Sequence, residues 1–170
     1  MSHQDSHDVI VVGSGASGLA AATALHAAGR DTLCLEARDR TGGRLLSAPT
    51  SHPERALDLG ATWYWDGEER VRALAARSGI KTFEQHLAGD TLLQETTAVR
   101  RLHGNLVDAP SRRFAAGARS VTTALAAALP AESLRLNTPV TALHPDGQGG
   151  LAVRRPRSPT SDTREQVTRW

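Results

Sequence analysis

The stretch that decides the fold is residues 8–44, DVIVVGSGASGLAAATALHAAGRDTLCLEARDRTGGR. It begins with Asp8–Val12, a short apolar run rich in β-branched residues that is typical of a buried parallel strand. Glycines then recur with G-x-G-x-x-G spacing, and the alanine- and leucine-rich residues that follow, to about Ala28, predict a helix ended by Gly29. Residues 32–36 predict a second buried strand. The segment as a whole therefore predicts one βαβ unit.

Each glycine of the motif has a separate physical role. Gly13 permits the tight turn, Gly15 lets the backbone approach a pyrophosphate, and Gly18 lets the helix and the strand pack closely. The helix N-terminus, with Ala16 and Ser17, offers free N–H groups and the positive end of the helix dipole to phosphates. The spacing, placed between a strand and a helix, predicts a dinucleotide site in a Rossmann-like α/β domain.

The residue that ends the second strand is acidic. Glu36 lies 18 residues after Gly18, a position from which a carboxylate accepts hydrogen bonds from ribose hydroxyls. FAD and NAD share the ADP part that such a unit recognises. The βαβ unit alone therefore predicts a dinucleotide and leaves its identity open.

The residues after the second strand indicate which dinucleotide. Residues 36–44, EARDRTGGR, resemble the E-A-R-x-R-x-G-G-R segment of flavin amine oxidases and related FAD enzymes. In that family the Gly-Gly-Arg turn touches the FAD pyrophosphate and its arginine lies near the flavin. A planar guanidinium pairs well with phosphate, so Arg44 suits this role. The resemblance implies FAD as cofactor and extends the candidate cofactor-binding residues to Ala37, Arg38, Gly43 and Arg44.

Two further blocks carry the same resemblance. Residues 57–63, LDLGATW, are similar to the family's L-D-x-G-A-x-W, whose backbone runs beside the isoalloxazine ring. This similarity adds Gly60, Ala61, Thr62 and Trp63 to the candidate site. The third block is Phe114–Gly117 followed by a predicted helix and by LNTPV at residues 136–140. There the family uses the backbone at the position of Val140 to meet adenine.

The domain organisation follows from these blocks. We expect an FAD/NAD(P)-binding domain of the Rossmann-like α/β class over residues 8–155, with a parallel sheet, helices and a β-meander. A short substrate-domain insertion is expected around 80–113 and a disordered N-terminus over 1–7. Residues 156–170 form a polar tail, for which a last meander strand and non-native sequence are both open interpretations. The domain is predicted to be incomplete at its C-terminus.

The remaining elements are short. The patterns predict an extended loop over residues 37–53, helices over 68–77 and 118–129, and strands at 57–59, within 82–107, at 134–136, 140–144 and 151–155.

Part of the family pattern has no counterpart in the sequence. Typical members run to several hundred residues, with a second flavin-binding segment and an active-site lysine in their later part. Lys81 is the only lysine here and lies in no matching motif. No catalytic residue is therefore predicted. We expect a truncated N-terminal portion that is inactive alone and is completed by a C-terminal polypeptide.

Composition excludes several other classes of protein. The net charge is only +2 and the basic residues are scattered among 18 acids, which argues against a nucleic-acid surface. The single cysteine, Cys34, rules out an intramolecular disulfide. No run of 18 apolar residues predicts a membrane span, and the polar N-terminus is unlike a signal peptide. The sequence favours a cytoplasmic protein without a metal site.

The resemblance implies oxidation of a small-molecule amine. The substrate's C–H bond would give a hydride equivalent to flavin N5, and oxygen would reoxidise the flavin, yielding an imine and hydrogen peroxide. Two alternatives stay open. One keeps FAD and changes the substrate, as in phytoene desaturases or protoporphyrinogen oxidases. The other is a non-catalytic FAD- or ADP-binding remnant, or one subunit of a split enzyme.

Overall fold

The computed structural model of the chain describes residues 6–52, 55–147, 149–154 and 165–167. These residues divide into two compact units. The first unit comprises the residues up to Leu46 and from Arg119 onward, and the second comprises Ser47–Ala118. The predictions of a disordered N-terminus over 1–7 and of a polar tail over 156–170 fall mostly on residues 1–5, 155–164 and 168–170, which lie outside the described residues.

The elements alternate between strands and helices along the first unit and are mostly strands in the second. In chain order they are β1 Ser6–His7, β2 Val9–Val12, α1 Ala16–Ala27, β3 Thr32–Leu35, β4 Ser47–Pro49, β5 Ala56–Asp58, β6 Trp63–Trp65, α2 Glu69–Arg77, β7 Thr82–Glu84, β8 Thr91–Gln94, β9 Val99–Leu102, β10 Ser111–Phe114, α3 Arg119–Ala127, β11 Leu134–Arg135, β12 Ala142–Pro145, β13 Leu151–Arg154 and β14 Glu165–Val167. Within the described ranges, no helix is long and apolar enough to cross a membrane.

A parallel sheet forms the centre of the first unit. Its strand order is β11-β3-β2, and β3 pairs in parallel with both neighbours, Val9 opposite Thr32 and Leu134 opposite Cys34. Helix α1 makes the connection between β2 and β3, and the chain reverses after it at Gly29, where φ is +76°. The predicted βαβ unit and the Rossmann-like α/β class are therefore confirmed.

A second sheet lies in the same unit, with strand order β1-β14-β13-β12. Its hairpin, β12 and β13, pairs Ala142 with Arg154 and confirms the β-meander that the sequence predicts. Strand β14 pairs antiparallel with β13 and parallel with β1. Ser6 and His7 thus lie in a strand, so the prediction of a disordered N-terminus does not hold at these two residues.

The two sheets share a core. Leu33 and Leu35 of β3 are 0% and 1% exposed, and they cluster with Val153 of β13, which is 2% exposed. Ile10 and Val140 pack against this cluster. Because side chains alternate along a strand, Thr32 and Cys34 point to the opposite face of the sheet. Both are buried as well, which explains why β3 reads as an uninterrupted apolar run rather than as an alternating one.

Strand β2 lies at the edge of the parallel sheet. Among the described strands, only β3 pairs with it. Although its sequence, VIVV, is typical of a strand covered on all sides, its residues are only partly buried and Val12 is 54% exposed.

The second unit contains three small antiparallel sheets, β4-β5, β6-β10-β7 and β8-β9. Tyr64 and Phe114 are buried against one another, with their ring centroids 5.3 Å apart. The predicted extended loop over residues 37–53 contains a strand, β4, and this part of the prediction was wrong. Strands β6 and β10 were not predicted, because WYW and SRRF lack the alternation of apolar and polar residues that marks a half-buried strand.

Candidate dinucleotide-binding site

Two glycines of the motif are required by the fold itself. Gly13 has φ of +97°, a conformation that side-chain-bearing residues rarely adopt. At Gly18, an added Cβ would lie 2.0 Å from the carbonyl oxygen of Gly13 and 3.4 Å from a methyl of Val11. Helix α1 therefore contacts the end of β2 so closely that only a glycine fits at position 18.

Gly15 differs from the other two. Its backbone is extended, with φ −71° and ψ 179°, a conformation open to any residue. An added Cβ would meet nothing within 4 Å. Nothing in the described chain thus demands a glycine at this position. A ligand that lies directly against the backbone would demand one.

The start of α1 presents unpaired donors beside Gly15. The first hydrogen bond of the helix runs from the Leu19 N–H to the Gly15 carbonyl, at 2.9 Å. The N–H groups of Ser17 and Gly18 precede it and have no acceptor within the helix, whereas Ala16 follows the parallel bridge between Gly15 and Gly42. No side chain caps this end, and no acidic residue lies in the first turn. The dipole and the free amides therefore favour an anion here.

Glu36 ties the glycine turn to the chain that follows β3. The residue is 8% exposed. Its Oε2 accepts hydrogen bonds from the Ser14 N–H at 2.8 Å and the Ser14 hydroxyl at 2.9 Å, and its Oε1 accepts one from the Arg38 N–H at 2.9 Å. A carboxylate has about four acceptor positions, so capacity remains for a ribose hydroxyl.

These contacts also set the ionisation of the carboxyl group. Burial by itself raises the pKa of Glu36, but the hydrogen bonds from Arg38 and Ser14, together with the charge of Arg38, outweigh it. The net result is a pKa below the ordinary value for a glutamate. Glu36 is therefore held as an anionic acceptor, which is the form that binds a diol.

The Gly-Gly-Arg turn lies directly against the glycine motif. The Gly42 N–H donates to the Ser14 carbonyl at 2.9 Å, and an added Cβ on Gly43 would lie 3.5 Å from the Gly15 Cα. Arg44 is exposed, and no hydrogen bond or ion pair joins its guanidinium to another described residue. An uncommitted cation next to free helix amides is the electrostatic environment that a diphosphate needs.

Val140 is also close to these residues. The loop before it runs beside the end of β3, since the Asn137 N–H donates to the Arg38 carbonyl at 2.9 Å and the Thr138 N–H to the Glu36 carbonyl at 2.7 Å. The Val140 side chain packs on the core. Its amide has no hydrogen-bond partner among the described residues, and it therefore remains available to a base.

The first unit thus brings together most of the residues predicted from the sequence. They are Gly13, Gly15, Ala16, Ser17, Gly18, Glu36, Ala37, Arg38, Gly43, Arg44 and Val140. Two contributors were missed. Ser14, fully buried, orients the Glu36 carboxylate. Arg40 binds carbonyls of the Gly-Gly-Arg turn. Ser14 lies inside the G-x-G-x-x-G motif, but at a variable position for which the motif predicts no role.

The remaining predicted residues, Gly60 to Trp63, lie in the second unit. Gly60, Ala61 and Trp63 are exposed, and the Thr62 hydroxyl donates to the Gly60 carbonyl at 3.0 Å. This segment begins beside Asp58.

Asp58 has a buried carboxylate, its side chain only 1% exposed. It accepts hydrogen bonds from the Ser47 hydroxyl at 2.7 Å and from the Ala118 N–H at 2.8 Å, and it lies 3.6 Å from the Arg113 guanidinium. These contacts anchor Asp58 at the end of β5, two residues before the Gly60–Trp63 segment; the sequence pattern alone assigns it no role.

Parts of this chain are similar to known proteins in sequence and in fold. Residues 11–78 match the family described as the NAD(P)-binding Rossmann-like domain. The chain is 39% identical to a putrescine oxidase of Kocuria rosea over 85 residues, which are 50% of this chain and 17% of that protein. It is 40% identical to flavin-containing amine oxidase B of Homo sapiens over 77 residues, 45% of this chain and 15% of that protein.

Solved structures agree on the fold. One is a triple mutant of putrescine oxidase, made in a redesign of cofactor binding. The match covers 98% of this chain and 57% of the putrescine oxidase chain, with a TM-score of 0.81 and 20% sequence identity. The cyclohexylamine oxidase of Brevibacterium oxydans matches with a TM-score of 0.80 and 17% identity. The chain therefore contains a Rossmann-like dinucleotide-binding domain, and its N-terminal half is similar in sequence to part of the flavin-containing amine oxidases. It spans little more than half the length of these solved relatives.

The lowered pKa of Glu36 predicts a pH-dependent contribution to stability. A carboxyl group with a depressed folded-state pKa stabilises the fold fully above its unfolded-state value, near 4.5, and loses this contribution as the pH falls through the folded-state value. Urea unfolding of the wild type and of Glu36→Gln should therefore differ most at pH 7. The difference should narrow below about pH 4.5. A difference that stays constant across this range would contradict the assigned role of the ionised carboxylate.

Proposed function

We propose that this chain binds FAD and forms the cofactor-holding N-terminal part of an oxidoreductase acting on a small-molecule amine. The observation that carries the proposal is Gly15, whose ordinary backbone conformation and open surroundings leave room for a ligand directly against the chain. It lies beside unpaired helix amides and next to the Gly-Gly-Arg turn. The named relatives, putrescine oxidase and flavin-containing amine oxidase B, support FAD over NAD and an amine over other substrates.

Each group has a distinct role in holding the cofactor. The amides of Ser17 and Gly18 would receive the diphosphate, assisted by the helix dipole. Glu36 would accept the ribose hydroxyls, and the Val140 backbone would meet adenine. Arg44 would neutralise the negative charge of the diphosphate, at the end that carries the flavin. In these roles the residues would bind and orient the cofactor.

When bound, FAD supplies the redox chemistry, taking a hydride equivalent from the amine's C–H bond and passing two electrons to oxygen, so that an amine and oxygen become an imine and hydrogen peroxide. The chain's contribution to that reaction would be to hold the ADP end and to offer two small, exposed residues, Gly60 and Ala61, that a flat ring can approach.

We further propose that turnover requires a complementing C-terminal polypeptide. The chain matches 57% of the solved putrescine oxidase. Strand β2, rich in valine, has one edge unpaired by any described strand, and such an edge readily accepts another strand. The same requirement would hold if the chain were the FAD-binding subunit of a split enzyme.

Gly15 and Gly18, both in the glycine motif, provide a matched test of cofactor binding. Gly15→Ala should leave the melting temperature within a few degrees of the wild type, because its Cβ has free space. It should weaken FAD binding, measured by calorimetry, by about tenfold or more, since the methyl takes the place of the diphosphate. Gly18→Ala should instead destabilise the fold, through overlap with the Gly13 carbonyl.

NAD provides the specificity control for this experiment. FAD should raise the melting temperature of the wild type more than NAD does, since a ligand that binds only the native state stabilises it. Equal or greater stabilisation by NAD would reject the flavin assignment. Unchanged FAD affinity in a folded Gly15→Ala variant would reject the assigned diphosphate position.

The second test concerns activity. The chain, saturated with FAD and without an added partner, should produce no more peroxide from primary amines and polyamines than free FAD does. Hydride transfer needs the substrate carbon within about 3–3.5 Å of flavin N5 in a site that excludes water, and the described residues supply only the ADP cradle and one candidate wall. Steady peroxide formation that Gly15→Asp abolishes would show that no complementing polypeptide is needed.

A further inference from the structure

The side chain of Arg40 is directed at the backbone of the Gly-Gly-Arg turn. Its Nη1 donates to the Thr41 carbonyl at 3.2 Å and to the Gly43 carbonyl at 3.4 Å, while its Nη2 donates to the Gly43 carbonyl at 3.3 Å. The residue is half-buried. The guanidinium thus donates hydrogen bonds to two carbonyl oxygens of this segment, those of Thr41 and Gly43.

Holding a carbonyl fixes the direction of the amide in the same peptide group. In a trans peptide the C=O and N–H bonds point in opposite directions. Because the Gly43 carbonyl faces Arg40, the Arg44 N–H points away from it. The Gly42 carbonyl is likewise held, by the Leu45 N–H at 2.8 Å, which directs the Gly43 N–H outward.

These two amides are free to bind a ligand. Neither the Gly43 N–H nor the Arg44 N–H has an acceptor among the described residues. Both belong to the turn that packs against Gly15, where the start of α1 leaves further amides unpaired. Successive outward N–H groups of this kind form an anion-binding surface.

We propose that Arg40 is a positioning residue for diphosphate binding: it orients the turn so that the amides of Gly43 and Arg44 donate to the diphosphate. The inference rests on the proposed function. Arg40 acts through the turn rather than by touching the ligand, because its Nη atoms are committed to carbonyls. The role requires a planar group that reaches two acceptors at once, which an arginine provides and a lysine does not.

The test uses the chain labelled with ¹⁵N and titrated with ADP. In the wild type, ADP should shift the amide resonances of both Ser17 and Arg44. In Arg40→Ala, ADP should bind about tenfold more weakly, with the Ser17 resonance still shifting at saturation and the Arg44 resonance no longer doing so. Arg40→Lys should bind with intermediate affinity. Arg70→Ala, which removes an exposed arginine of α2, should behave as the wild type.

Several outcomes would overturn the inference. Wild-type ADP affinity in Arg40→Ala would do so, as would an Arg44 resonance that still shifts in that variant. Loss of both the Ser17 and the Arg44 shifts together with a large drop in melting temperature would show that Arg40 only supports the fold. If the wild type itself fails to bind ADP, the proposed function falls. If the wild type binds and Arg40→Ala binds equally well, only this inference falls.

Discussion

The contact between the start of helix α1 and the end of strand β2 is the constraint on which the rest of the first unit depends. A Cβ at Gly18 would lie 2.0 Å from the Gly13 carbonyl, so the helix cannot pack this closely with any other residue. The closeness brings the unpaired amides of the helix to the carboxyl edge of the parallel sheet, which is where ligands of doubly wound folds bind. Glu36 at the end of β3 lies at the same edge and closes the turn through Ser14.

The glycines of this region divide according to what requires them. Gly13 and Gly18 are required by the conformation and packing of the chain alone. Gly15 is not, since its backbone is ordinary and the space beside it is open. The free amides and the uncommitted Arg44 around Gly15 support the proposal that its small size makes room for an anion.

Local patterns were enough to predict the βαβ unit, the third strand of the parallel sheet and the meander hairpin. Each of these is bounded by a glycine turn or a proline, and its apolar residues follow the pattern of a helix or of a strand. The fold of the second unit was harder to predict. Its strand β10, SRRF, forms because Phe114 packs on Tyr64 and because its arginines pair with Glu84, Asp66 and Asp58. Such long-range contacts leave no local pattern. The role of Arg40 was hidden for the same reason, since it depends on the conformation of the turn rather than on spacing.

A crystal structure of the chain with ADP tests the central claim most directly. The diphosphate is expected to lie against Gly15, with its oxygens within hydrogen-bond distance of the Ser17 and Gly18 amides and the ribose hydroxyls on Glu36. ADP bound elsewhere, or a diphosphate that leaves the space beside Gly15 open, would contradict it.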